Sequence, residues 1–303
     1  MLHRTYGGTV PGQRKDRRMT VKQLVILGLQ LSIVCTVFGF GLRATPRDLV
    51  YLFRQPSLLF RSLLSVFVVM PIVAVGMATM FEFRRGAEIA LIALAISPVP
   101  PLLPNREMKG GGQGSYGLAL MATLALLSIV AVPLAGEILQ RVFNLPLNAD
   151  GASIARVALV MAVLPLLAGV SVRACLPAVA DRIERPVSLV ARILLPVAVV
   201  ALLAGTWRAV ATAVGGGAVA AMVVFVAVGL MVGDFLGGPN PEDSIVLALS
   251  TACRHPAIAM SVAAANFPDE QFAGPILLYL IVNTIVGFAY LKLRQPAGSP
   301  VAV

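Results

Sequence analysis

What most constrains this chain is the length of its apolar runs. Windows of about 20 hydrophobic residues, enough to cross the hydrocarbon of a bilayer as a helix, can be laid along nearly all of it. Nine spans are expected, over residues 21–42, 56–80, 86–104, 115–140, 152–174, 187–206, 210–236, 243–266 and 272–292. Continuous runs predict helices, because barrel strands would read as ten-residue stretches of alternating polarity. Composition agrees: 58% of the residues are hydrophobic and 13% charged, against about 25% charged in soluble domains. The class expected is an all-α, multi-pass protein of the cell (inner) membrane with the lipid bilayer as partner. No soluble domain is left over.

The net charge of +10 would suit nucleic acid, but Lys and Arg gather at span ends, where they set membrane orientation, and no soluble basic domain exists. One end collects Arg43, Arg47, Arg54, Arg106, Lys109, Arg173, Arg182, Arg185, Lys292 and Arg294; the other holds Arg84, Arg85, Arg141 and Arg208. The first end, with the C-terminus, is therefore expected in the cytoplasm. The basic arm of residues 1–20 falls on the opposite side and has no apolar signal-peptide core. It is expected to be a disordered or non-native extension, with Met19 as the natural start. A native basic arm that holds the N-terminus in the cytoplasm would instead require an even number of spans. Two halves are expected, residues 21–142 and 151–292, followed by a tail at 293–303.

Cys35, Cys175 and Cys253 are scattered, and the histidines are His3 and His255 alone, so neither a disulfide framework nor a metal site is expected, and no cofactor. An aspartyl hydrolase could use Asp234, but it needs a second carboxylate at the same depth, and none of Asp48, Asp150, Asp181 and Asp243 lies in the interior of an expected span. An enzyme is not expected.

Two spans are interrupted. The third, ALIALAISPVPPLLPNREMKGGGQG, carries Pro98, Pro100, Pro101 and Pro104 and then a glycine-rich stretch; the eighth, TACRHPAIAM, carries Pro256 directly after Arg254 and His255. Proline removes a backbone donor and leaves carbonyls unpaired, which at membrane depth is tolerated only where protein or a wet cavity satisfies them. Matching breaks in two halves point to a transporter built from inverted repeats, with its site at the breaks. Thr251, Arg254, His255 and Ile258 fall on one helical face. An arginine inside a span costs about 2.5–3.5 kcal/mol on the insertion scale, so Arg254 is a candidate site residue. Its planar fork suits a carboxylate. The competing reading is structural: Arg254 satisfies free carbonyls at the break, with His255 bonded across to the other broken helix.

These residues resemble the bile acid:sodium symporter family. FGFGLRATPRDLVYLFRQPSLLFRSLLSVFVVMPIVAV is similar to the family's opening, and VGDFLGG through ALSTACRHPAIAMSVAAANFP is similar to its second crossing helix. The resemblance implies a panel of spans 1, 5 and 6, a core of spans 2–4 and 7–9 with two crossing broken helices, and sodium-driven uptake of a small organic anion. It also implies a ligand set, carried over residue by residue. The family's glutamate falls on Thr251, its glycine on Cys253, its glutamine on His255 and its asparagine on Pro256; a serine–asparagine pair falls on Pro104 and Asn105, and a serine and a threonine on Ala119 and Thr123. Asn105, Thr123 and Thr251 keep oxygens, but the carboxylate is gone. Arg254 would repel a sodium ion about 4 Å away by roughly 4 kcal/mol at an effective dielectric near 20. The expectation is an organic-anion transporter in which these replacements speak against sodium coupling; the alternative is an uncoupled channel or a transport-dead sensor on the same scaffold.

Overall fold

The computed structural model describes residues 21–143 and 151–294. The basic arm, the start expected at Met19, Asp150 and the tail beyond Arg294 lie outside the described residues. Eleven helices make up most of the described residues: α1 Val21–Arg43, α2 Pro56–Met80, α3 Arg85–Ile96, α4 Leu103–Lys109, α5 Gly114–Phe143, α6 Ala155–Cys175, α7 Pro177–Ala213, α8 Ala218–Gly237, α9 Pro241–Ala252, α10 Pro256–Asn266 and α11 Ala273–Arg294; a one-turn helix, Pro46–Leu49, lies between α1 and α2. There is no strand among the described residues. Eight candidate spans are long and apolar enough to cross a membrane, α9 and α10 counting together as one. This is an all-helical integral membrane protein.

The third expected span is where the helix count departs from nine. α3 stops at Ile96, residues 97–102 run as an irregular turn, and α4 adds only seven residues. Neither piece is long enough to cross alone, because Pro98, Pro100 and Pro101 cannot continue a helix. The sixth expected span, 187–206, extends at both ends into α7, of 37 residues, with Pro186 and Pro196 inside it. Trp207 and Arg208 do not end it; Gly215, Gly216 and Gly217, all at positive φ, do. α7 turns Leu189, Val190, Ile193, Val197, Val200 and Trp207 outward, an apolar face suited to lipid.

Small residues set the closest helix contacts. Gly229, Gly233 and Gly237 recur every fourth residue along α8, and a Cβ on Gly233 would lie 2.5 Å from the Cα of Ala248 on α9. Without side chains there, the two backbones approach closely and gain dispersion contact, which is what holds helices together in lipid. Gly41 of α1 and Gly169 of α6 face each other in the same way. α1 also packs along α7. The largest buried cluster joins α2, α3, α5, α8, α9 and α11 through residues such as Val66, Leu94, Leu120, Phe225, Leu249 and Ile276.

Candidate functional site

The site is built where α3 and α9 end and α4 and α10 begin. At the second break, Cys253, Arg254 and His255 leave helical geometry and Pro256 starts α10. The break frees an amide and a carbonyl, and Tyr279 of α11 serves both: the Arg254 N–H donates to its hydroxyl at 2.6 Å, and that hydroxyl donates to Ala252 O at 2.8 Å. Asn283, one turn further along α11, donates to Cys253 Sγ at 2.8 Å. At the first break the prolines withhold donors, so Ser97 and Pro98 present carbonyls with no local partner. The second break supplies them. His255 N–H donates to Pro98 O at 2.7 Å, and Arg254 Nη1 reaches Ser97 O at 3.4 Å.

Arg254 is 1% exposed and is among the largest fully buried side chains. Besides Ser97 O, its Nη1 donates to Val66 O at 3.2 Å and its Nη2 to Thr251 O at 3.0 Å. Val66 lies in a π-helical stretch, Leu64–Val69, just before Pro71 in α2, and such stretches disturb the regular carbonyl ladder. One guanidinium thus gathers carbonyls from three helix irregularities, α2, the α3 break and the α9 end. No carboxylate forms an ion pair with it among the described residues. The His255 ring is buried, and neither nitrogen has a hydrogen-bond partner; it is the His255 amide, not the ring, that bonds across to the other break.

Of the residues singled out in the sequence, Thr251, Arg254 and His255 meet at this crossing together with Pro98 and Pro256. The Thr251 hydroxyl bonds to that of Ser65 on α2. Pro101 lies in the α3–α4 turn and Pro104 in the first turn of α4. Thr123 is buried in α5 and forms no hydrogen bond with Asn105, Thr251 or Arg254. Asn105 stands apart from the crossing and lines a cavity of about 640 Å³. That cavity lies between α1 and α7 on one side and α4 and α11 on the other, and five cations line it: Arg43, Arg106, Lys109, Arg192 and Lys292. No acidic side chain lines it. Arg43 is paired with Glu184 at 2.5 Å, and Arg106 donates to the carbonyls of Asn283 and Thr284 at 3.1 and 3.2 Å. Lys109 of α4 and Arg192 of α7 stand on opposite walls.

The glycine-rich stretch after α4 is a helix stop. Gly111 adopts φ 88°, Gly112 N–H donates to Glu107 O at 2.9 Å and Gly111 N–H to Met108 O at 3.1 Å, the paired bonds of a Schellman ending. Asp234 accepts from the Tyr290 hydroxyl at 2.6 Å and pairs with Arg294, so it ties α8 to α11.

Four participants escaped the sequence reading. Tyr279 looks like any aromatic of an apolar helix. Arg192 sits within an apolar span whose proline, Pro196, does not break the helix. Ser65 gave no signal. Glu107 is flanked by Arg106 and Lys109, so it reads as loop, although a carboxylate between two proline- and glycine-marked breaks was a signal that could have been used.

A model of the Sodium Bile acid symporter family matches residues 30–213, well over half the chain, from α1 to the end of α7. None of the curated proteins compared with the chain matches it. The matched stretch contains the first break and ends before the second.

Proposed function

The chain belongs to the Sodium Bile acid symporter family, a family of secondary transporters rather than enzymes, and we propose that it moves a small organic anion with the Arg254 guanidinium standing where a sodium ion would act. The observation that carries this reading is the bonding of that enclosed guanidinium to three main-chain carbonyls at the crossing of the two broken helices. Carbonyls freed by helix breaks are the usual ligands of a coupling cation. Here a side-chain cation fills the same electrostatic need and cannot leave. Membership implies sodium coupling; the residues at Thr251, Arg254 and His255 support a departure from it, since a hard cation needs several oxygens and a compensating carboxylate.

The substrate in this reading binds in the basic cavity, where Asn105, Lys109 and Arg192 meet it. A cleft lined with one sign of charge focuses its field on ions of the other sign. α1, α6 and α7 act as the panel and α2–α5 with α8–α11 as the core, rocking about the crossing. The two halves, 21–142 and 151–292, act as inverted repeats. Support for this division comes from the packing of α1 on α6 and α7, and from the cavity's position between those helices and α4 and α11. The basic end, where the cavity lies, faces the cytoplasm.

Proteoliposomes carrying the purified protein test this with taurocholate and pyruvate as probe anions. Uptake is expected to persist when sodium is replaced by potassium and to be lost in Arg254→Ala. Uptake driven by a sodium gradient alone and retained by Arg254→Ala would overturn the reading. Failure of both probes under every gradient is the behaviour of a transport-dead scaffold.

A further inference from the structure

Glu107 is 1% exposed, yet its carboxyl is only half satisfied. Oε1 accepts from the Ser250 hydroxyl of α9 at 2.7 Å, while Oε2 has no partner. No basic side chain forms an ion pair with it among the described residues. Room for Oε2 is made by Gly117 of α5, where a Cβ would collide with that oxygen. The carboxyl therefore sits in a slot that excludes a neighbouring side chain and offers one hydroxyl.

Position gives this slot a role. Glu107 shares the seven residues of α4 with Asn105, Arg106 and Lys109, which line the basic cavity. Its partner Ser250 precedes Thr251, whose carbonyl holds Arg254. One hydrogen bond thus links the cavity wall to the second broken helix. Tyr116 on α5 and Cys253 at the break lie within reach of its charge, Asp243 of α9 acts on the same Tyr116 and Arg106 on the same Cys253, and Arg106, Lys109 and Lys292 line the cavity that α4 borders.

We propose that Glu107 is a proton-binding site whose loading is coupled to anion movement. An ionised carboxylate shut away from water without a cation partner is costly, and a proton on Oε2 removes that cost. A hard metal cation would need several oxygens around Oε2, and beyond the carboxyl itself the slot provides only the Ser250 hydroxyl, which is bonded to Oε1. When α4 and α9 part, the Glu107–Ser250 bond opens and the proton exchanges with water in the cavity. One proton then travels with one anion. This rests on the transporter reading above.

Two measurements on the full-length protein test it. In lipid nanodiscs, infrared difference spectra between acid and alkaline pH should show a carboxylic-acid carbonyl band that Glu107→Gln removes. Ser250→Ala should move that band to higher frequency by removing its hydrogen bond, and serves if Glu107→Gln does not fold. A band set unchanged in both variants overturns the proposal. In proteoliposomes, an acid exterior should raise taurocholate accumulation by about tenfold per unit of pH difference for one proton per anion. Glu107→Gln should accumulate no more with the gradient than without it. A wild type that responds to the gradient and a Glu107→Gln variant that matches it would overturn the role of Glu107 alone. A wild type that takes up neither taurocholate nor pyruvate under any gradient overturns the transporter reading beneath it.

Discussion

The two helix breaks differ in what they lack, and the difference explains why they meet. The first, rich in proline, has too few donors: Ser97 and Pro98 offer carbonyls that their own helix cannot use. The second, with a single proline, has donors to spare, in the His255 amide and the Arg254 guanidinium. Each alone would leave polar backbone unpaired at membrane depth, where every such group costs several kcal/mol. Together they satisfy one another, with Tyr279 closing the remaining gap at Ala252 and Arg254. A broken helix in lipid is thus best read with its partner.

The strongest way to break this complementarity is Arg254→Ala. Three carbonyls lose their donor at once, and removal of one member of a buried charged network typically costs about 3–5 kcal/mol. The expected outcome is a large fall in the thermal midpoint in detergent, together with loss of transport. Arg254→Lys keeps the charge but replaces the fork by a single ammonium, so it should fall between the two.

A smaller test sharpens the role of the splint. Tyr279→Phe keeps the ring against Phe225 but strands the Arg254 amide and the Ala252 carbonyl, and should destabilise by about 1–3 kcal/mol. Thermal melts of the variant check it; an unchanged midpoint would show that the second break does not depend on α11.

The smallest effect lies away from both breaks. Asp48, in the one-turn helix Pro46–Leu49, is pushed up by partial burial, but hydrogen bonds from Ser115, from the Thr45 amide and from the Thr45 hydroxyl outweigh this and hold its carboxyl below the usual range. Its folded value is depressed, so its contribution is present above the unfolded carboxylate range and is lost as pH falls through the folded value. A slight fall in the thermal midpoint on acidification, absent in Asp48→Asn, is expected. Both breaks should be indifferent to that substitution.

Much of the fold was legible because lipid imposes simple rules. Apolar length gave the spans, and Pro98, Pro101, Pro104 and Pro256 marked both breaks. Arg254 stood out because charge is rare at that depth. What stayed hidden depends on partners distant in the chain. That the guanidinium would find Val66 O, 188 residues away, follows from a π-helical stretch before Pro71 that no pattern of apolar residues reveals. The basic cavity is assembled from residues as far apart as Arg43 and Lys292, and each of its cations except Arg192 alone looked like an end-of-span charge. Glu107 was masked by its basic neighbours. α7 runs past residue 206, the expected end of the sixth span, because nothing before the glycines that follow Ala213 stops the helix.

The central claim is that Arg254 occupies the place of the coupling ion. Sodium-specific stabilisation tests it most directly, since a ligand that binds the folded state raises stability by RT ln(1 + [L]/Kd). Thermal melts of the purified full-length protein in sodium and in potassium chloride at equal ionic strength are predicted to coincide. A saturable rise in the midpoint with sodium alone would contradict the account.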